Sequence, residues 1–238
     1  MKLSKRLETV ASMVTKGNRA ADVGCDHGFV PIFLVESGIS PLAVAADVRP
    51  GPLSRAKEHI KEHRLEEKIQ TRLSDGLANI KPGEADSLIM SGIGGILMMR
   101  LLQDEEKTAK SFKELILSPQ SELFDVRRYL VSNGYLIEYE HMLCDEGKYY
   151  FIFHVLVKKD EREWSEEEYR YGKDICKDDM KTFLAYLEKE ERQYEQILEK
   201  MKQAPENDRA VQRIAQLHQY ITCLKKRRQL VYDCGCFA

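Results

Sequence analysis

The sequence predicts an α/β protein: helices on both faces of a doubly wound, mostly parallel sheet, closed by an antiparallel β-hairpin and followed by a helical hairpin. Three observations carry this. Up to Lys159, short β-branched runs alternate with amphipathic stretches, and strand–helix alternation of this kind predicts a parallel sheet covered on both faces. Between Tyr135 and Lys158, two longer runs flank a turn at Asp145-Glu146-Gly147. From Met180 to Met201, residues of one seam step by 4 and 3, the spacing of a helix packed along another helix.

Taken in order, Leu3, Leu7, Val10 and Val14 recur at helical spacing, so an amphipathic helix opens the chain and stops at Gly17-Asn18. Arg19 to Val23 is a short buried strand running into Gly24. Phe29 to Glu36 is a helix that tolerates Pro31 in its first turn. Pro41 to Val48 is the second strand, and Pro50 to His63 a helix with Leu53, Ala56 and Ile60 on one face. Ile69 to Leu73, Asp86 to Met90 and Glu114 to Leu117 are the third, fourth and fifth strands, with helices between them. Tyr135 to Met142 and Tyr149 to Lys158 form the hairpin. In the tail, Met180, Leu184, Leu187, Glu191, Tyr194, Leu198 and Met201 make one seam, in which only Glu191 is polar beyond an aromatic hydroxyl. Val211, Ile214, Leu217, Ile221 and Leu224 make a second, and Ala204-Pro205-Glu206-Asn207-Asp208 breaks the helix between them. Two antiparallel helices packed as a short coiled coil follow. The reading divides the chain into a body, 1–159, and a helical arm, 160–238, which either grips RNA or a partner or packs on its own body.

Composition narrows the class. The 238 residues carry 37 Lys+Arg against 39 Asp+Glu, and 43% are hydrophobic, enough for a sizeable core and too many for a disordered chain. The longest nearly apolar stretch, Leu88 to Met99, has 12 residues, whereas a spanning helix needs roughly 20, so no membrane is expected. The N-terminus scatters charges and has no apolar block, so no signal peptide is expected and a cytoplasmic protein is the default. Cys25, Cys144, Cys176, Cys223, Cys234 and Cys236 show no zinc spacing; only Cys234-Gly-Cys236 forms a close pair, so no metal is expected. No obligate protein partner is evident.

The chemistry concentrates at strand ends. Asp22-Val-Gly24-Cys25-Asp26-His27-Gly28 lies between a strand and a helix, where glycines let a ligand approach the backbone and the helix offers its partial positive end. The dinucleotide fingerprint GxGxxG and the phosphate loop GxxxxGK[ST] are both absent. Asp26 would repel a pyrophosphate, so a ligand with an ammonium group and no phosphate fits better, and S-adenosylmethionine is one. Asp47, beside Val48 at the end of the second strand and 19 residues after Gly28, is placed to accept both ribose hydroxyls of an adenosyl group. A helix N-cap is the plain alternative, because Arg49-Pro50 follow. Ser74-Asp75-Gly76 after the third strand offers an acceptor for an adenine amino group. Ser91-Gly92-Ile93-Gly94-Gly95 after the fourth strand borders the place of the methyl acceptor, or is simply a tight turn. Amino-group methylases carry an Asn/Asp-Pro-Pro-aromatic sequence there, and this chain does not.

In these motifs the chain resembles the bacterial tRNA adenine-N1 methyltransferases of the TrmK type, which modify adenine 22. The resemblance rests on LSKRLETVASMV, ADVGCDHGFVPIFLV, AADVRPGPLSRAKEHI, RLSDGL, MSGIGG, LILSPQ and GKYYFIFHV in that order, followed by a helical-hairpin tail. It implies the methyltransferase variant of the doubly wound, Rossmann-like fold, with S-adenosylmethionine as cofactor and tRNA as partner. It implies that Asp22, Gly24, Asp26, Gly28, Asp47, Asp75 and Gly76 line the cofactor site, with Cys25, His27 and Val48 among them. Ser91, Gly92, Ile93 and Gly94 would position the target base. Tyr149, Tyr150 and Phe151 are candidates to stack on it, though core packing suits at least one of them. Lys2, Lys5, Arg6, Arg127, Arg128 and the run Lys225-Lys226-Arg227-Arg228 form the expected phosphate footprint. A different acceptor for the same cofactor, or a non-catalytic RNA-binding scaffold, are the competing readings.

Overall fold

Five short strands run parallel, and four of them are almost wholly buried: β1 (Ala20–Val23), β2 (Ala43–Asp47), β4 (Ser87–Ser91) and β5 (Glu114–Ser118). The fifth, β3 (Ile69–Leu73), is half exposed because it closes one edge. The computed structural model describes residues 3–175, 179–202 and 208–233. Sheet order is β3-β2-β1-β4-β5-β7-β6, with β7 (Lys148–Leu156) antiparallel between β5 and β6 (Leu136–Asp145). The expected hairpin is present, and its turn is tighter than the sequence suggested. Glu146 and Gly147 have φ of 49° and 76°, the left-handed pair of a two-residue turn whose twist matches the strands it joins.

Alternation along the strands builds two cores. Leu88, Met90, Leu115, Leu117, Phe151 and Phe153 face one side, whereas Ile89, Ile116 and Ile152 face the other. The second side is covered by α1 (Lys5–Ser12), α2 (Phe29–Glu36) and α3 (Pro50–Glu62), through Val10, Ile32 and Ile60. The opening helix is shorter than its apolar spacing implied, though Val14 still packs in that core. Its exit is pinned by Glu114, whose buried carboxylate accepts from Thr15 N at 2.8 Å, Ser87 Oγ at 2.5 Å and Asn18 Nδ2 at 3.2 Å. That anchor fixes α1, and with it Arg6, against the sheet.

The first side is covered by α4 (Gly95–Asp104), the short α5 (Glu106–Ala109), α6 (Leu123–Ser132) and the tail. The tail comprises α7 (Glu166–Tyr171), capped by a Ser165–Glu168 box, then α8 (Met180–Lys202) and α9 (Asp208–Asp233). Phe183, Leu187, Cys223, Leu224 and Val231 belong to the same buried cluster as Leu88 and Phe153, so the base of the helical hairpin packs on the body. Glu191, the acidic break in the seam, is paired: Arg228 donates to it, and Lys225 Nζ lies 3.6 Å away. The linker with Pro205 lies outside the described residues, as do Cys176, Cys234, Cys236 and Lys2.

Two of the expected phosphate contacts, Arg127 and Arg227, are buried instead of facing solvent. Arg127 is fully buried. Its guanidinium bonds Glu140 at 3.0 and 2.7 Å and donates to the carbonyls of Tyr169 and Arg170 at 3.1 and 2.8 Å. It also lies 5.2 and 5.0 Å from the ring centres of Phe151 and Phe153. A charge sealed in this way ties α6, β6 and α7 together and touches no phosphate. Arg227 is likewise buried and donates to the Lys173 carbonyl at 2.9 Å. Lys225 and Lys226 stay exposed and Arg228 half-exposed, but Lys226 Nζ stands 3.5 Å from Glu167, so the basic run joins α9 to α7 and α8. Among the described residues, no helix is long and apolar enough to cross a membrane, and no cluster of His, Cys, Asp and Glu could hold a metal.

Candidate active site

The loops after β1, β2 and β4 meet at the C-terminal edge of the parallel strands, around a cleft of about 390 Å³. Small-molecule sites run from roughly 300 to 1,000 Å³. The first loop is pinned by the backbone: Gly24 N and Cys25 N both donate to the Ala46 carbonyl, at 2.9 and 3.0 Å. Gly24 needs its φ of 82° to make that turn, and its missing side chain leaves the floor open toward Ile93. Asp26 also adopts a left-handed φ, 44°, held by Arg55 on its carboxylate at 3.1 Å.

Acidic groups dominate the floor. Asp22 is 4% exposed and Asp47 5%, and Asp26 stands at the mouth. Asp47 Oδ1 accepts from Arg49 N at 2.9 Å, but Arg49 is itself the N-cap of α3, so Asp47 braces the turn before the helix and is not its N-cap, against the plain alternative. Its other oxygen is 3.4 Å from Asp26 N and faces the cleft wall. Burial pushes the Asp22 carboxyl up to about 7, the Asp47 charge adds to the rise, and Arg6 pulls it back. His27 stacks with Phe29 and His59, at 5.1 and 5.6 Å between ring centres, and its buried Nδ1 has no hydrogen-bond partner among the described residues. Two buried carboxylates, a third at the rim and an unsatisfied ring nitrogen suit a ligand that brings a cation and several polar hydrogens. They repel a phosphate.

The opposite wall is the loop after β4. Gly92 takes a φ of 84°, and a side chain there would meet Arg6 at 3.5 Å and Gln120 at 3.7 Å. Arg6 Nη1 donates to Ser91 Oγ at 2.6 Å, and its guanidinium lies 5.4 Å from the Tyr150 ring centre. Gln120 N donates to the Ile93 carbonyl at 2.9 Å, which joins the loops after β4 and β5. This cluster borders the carboxylate floor.

Asp22, Gly24, Cys25, Asp26, His27, Asp47, Ser91, Gly92 and Ile93 all line the one cleft. Gly28 does not; it starts α2 with a φ of 73°, and a side chain there would press Ala56 at 3.1 Å. Val48 and Asp75 follow β2 and β3 on the same edge and are exposed, while Gly76 packs against Leu101. Gly94 serves as the N-cap of α4. Of the expected stacking residues, Phe151 is buried, whereas Tyr149 and Tyr150 are half-exposed. Arg6 belongs to the cleft wall instead of an outer footprint, while Lys5 and Arg128 are exposed. Arg49 and Gln120 were missed. Their signal was position alone, two residues past each of two strand ends.

Comparison with known proteins agrees with this architecture. Residues 3–153 match the family described as Methyltransferase domain. The chain is 28% identical to the tRNA (adenine(22)-N(1))-methyltransferase of Bacillus subtilis, over 95% of this chain and 97% of that one. A Streptococcus pneumoniae protein crystallised with S-adenosyl-L-methionine superposes with a TM-score of 0.83 at 31% identity, covering 95% of this chain and all of that one. M. capricolum TrmK, solved with S-adenosyl-homocysteine, gives 0.84 at 25% identity over 97% and 100%.

Proposed function

The chain belongs to the tRNA (adenine-N1)-methyltransferase family, and we infer that it transfers a methyl group from S-adenosylmethionine to N1 of adenine 22 in tRNA. The observation that carries this is the buried Asp22–Asp47 pair beside Gly24, facing a glycine loop, in a chain that matches the Bacillus subtilis enzyme over 95% of its length. We place the cofactor on the carboxylate floor, with Asp47 accepting from ribose hydroxyls and Asp22 and Asp26 facing the ammonium end. Bound there, the cofactor would supply an electrophilic methyl group on a sulfonium. Adenine N1 has an in-plane lone pair and no proton in the neutral base, so no residue need act as a base before transfer. The work left to the protein is alignment and exclusion of water. Arg6, Ser91 and Gln120 stand where hydrogen bonds would orient a flat base, and Gly92 leaves it room. The N1 edge is used in pairing, so the nucleotide must reach the cleft unpaired. Incubating the enzyme with unmodified tRNA and the cofactor, then mapping the product by mass spectrometry, should place one methyl on adenine 22. Methyl on another base or on protein would replace the acceptor, and none at all would favour the scaffold reading.

A pH dependence follows from Asp22. Its carboxyl stays partly protonated near neutrality, whereas a bound ammonium favours the ionised form, so binding below about pH 7 must expel a proton. Cofactor affinity should fall by up to about tenfold for each unit of pH below 7 and level off above it. Calorimetry across that range checks this, and Asp22→Asn should flatten the profile. A parent enzyme with pH-independent affinity would remove the argument.

We further propose that residues 160–238 form a tRNA-gripping arm on the body 1–159. Because Lys225, Lys226 and Arg228 are offset by Glu167 and Glu191, changing all three to Ala should leave the salt dependence of tRNA binding close to the parent's. A slope flatter by roughly 0.7 unit for each residue would restore the run as phosphate contacts.

A further inference from the structure

Beside the methyl-transfer cleft lies a second one that no step above uses. It has a volume of about 420 Å³ and runs between the β6–β7 turn and α8, and Gln120 lines both clefts. Its walls combine aromatic and basic groups. Tyr149 and Tyr186, both half-exposed, meet at 5.4 Å between ring centres with their planes at 62°, which makes an aromatic corner in the cleft wall. Lys189 Nζ stands 5.1 Å from the centre of the Tyr149 ring, and Lys148 is exposed at the start of β7. Among the described residues, neither lysine has a carboxylate within 4.0 Å, in contrast to Lys225 and Lys226 on α9. Glu190, the one carboxylate among the described lining residues, already accepts from the Tyr194 hydroxyl at 2.8 Å.

We propose that this corner is a second nucleotide subsite, which holds a neighbour of the target adenine in the unpaired strand while the adenine occupies the first cleft. The proposal rests on the tRNA reading above and adds where the adjoining strand runs. Three physical points favour it. Every base has a π face, so an aromatic corner receives a flanking nucleotide whatever its identity. Two ammonium groups with no acidic partner within 4.0 Å match the phosphates on either side of that nucleotide. The β strand alternation sends Tyr150 to the Arg6 side and Tyr149 to the α8 side, so adjacent residues serve adjacent nucleotides. A protein that must take a base out of a loop gains from gripping the next one, since the loop is then presented already opened.

The test uses the full chain and three unmodified tRNAs: the natural sequence, and two with an abasic ribose immediately before or after the target adenine. For the parent enzyme, one abasic substrate should raise KM by about five- to a hundredfold, with kcat less affected. Tyr149→Ala should raise KM on natural tRNA similarly and then be indifferent to that abasic site. The variant combining Lys148→Ala and Lys189→Ala should flatten the salt dependence of tRNA binding by roughly 0.7 unit per lysine. Cofactor affinity should match the parent's in all variants. If Tyr149→Ala responds to both abasic sites as the parent does, or the double lysine variant keeps the parental slope, the subsite is wrong while the acceptor reading stands. A parent enzyme inert on every tRNA would overturn the acceptor reading, and the subsite with it.

Discussion

Replacing Arg127 with Ala should destabilise the protein by about 3–5 kcal/mol, the cost of leaving a buried charge without its partner. Glu140 would remain in the core, fully buried, with two strong donors removed. The carbonyls of Tyr169 and Arg170 would lose their donor as well, loosening α7 where it meets the body. For a chain of this size each kcal/mol is worth about 2–4 °C, so the melting temperature should drop by at least about 6 °C. Thermal unfolding followed by circular dichroism measures it. A variant carrying both Arg127→Met and Glu140→Leu should recover most of the loss, because an apolar pair of similar volume carries no desolvation cost. Loss below about 1 kcal/mol in the single variant would mean that water reaches the pair, and Arg127 would return to the list of possible RNA contacts.

Arg127 also marks where the sequence stops being legible. The strands, their order of appearance and the hairpin could be read because burial on both faces forces continuous apolar runs such as Leu88-Ile89-Met90 and Leu115-Ile116-Leu117. The Gly24 turn and Asp47 could be read because a strand-end glycine and carboxylate have few structural uses together. The basic residues could not, since charge in a sequence says nothing of which way it points. A weak signal existed: Arg127 falls four residues after Leu123 and three before Leu130, on the apolar stripe of α6. Glu140 likewise occupies an inward position of β6. Opposite charges at inward positions of two elements anticipate a buried pair. Arg6 was misread for a related reason. Its helix was plain, but only the tertiary anchor at Glu114 turns that helix so that Arg6 reaches Ser91. The aromatic corner of Tyr149 and Tyr186 joins residues far apart in the chain, so no spacing rule could reveal it.

Asp47→Ala should weaken S-adenosylmethionine binding by about 1–3 kcal/mol, roughly 5- to 150-fold, with the fold intact. Asp47 is buried at the end of β2. Its carboxylate accepts from Arg49 N at 2.9 Å and from Asp26 N at 3.4 Å, and losing a hydrogen bond of this kind costs about 1 kcal/mol of stability. Its neighbours Ala45 and Ala46 are fully buried in the sheet and do not depend on it. The larger loss falls on the ligand, whose hydroxyls would face a methyl group in place of a charged acceptor. Asp47→Asn separates the two roles, because the amide keeps an oxygen for Arg49 N while removing the charge. Asn should therefore restore stability and regain only part of the affinity. It should also move a second quantity in a fixed direction. The Asp47 charge helps to hold the Asp22 carboxyl up near 7, so removing it lets Asp22 ionise at lower pH. The pH at which cofactor affinity begins to fall should shift downward in Asp47→Asn relative to the parent. Calorimetric titration of parent, Ala and Asn variants at several pH values reads affinity and shift together. Unchanged affinity in Asp47→Ala would leave Asp47 a brace of the turn between β2 and α3 and move the ribose elsewhere, and an unmoved pH break would uncouple it from Asp22.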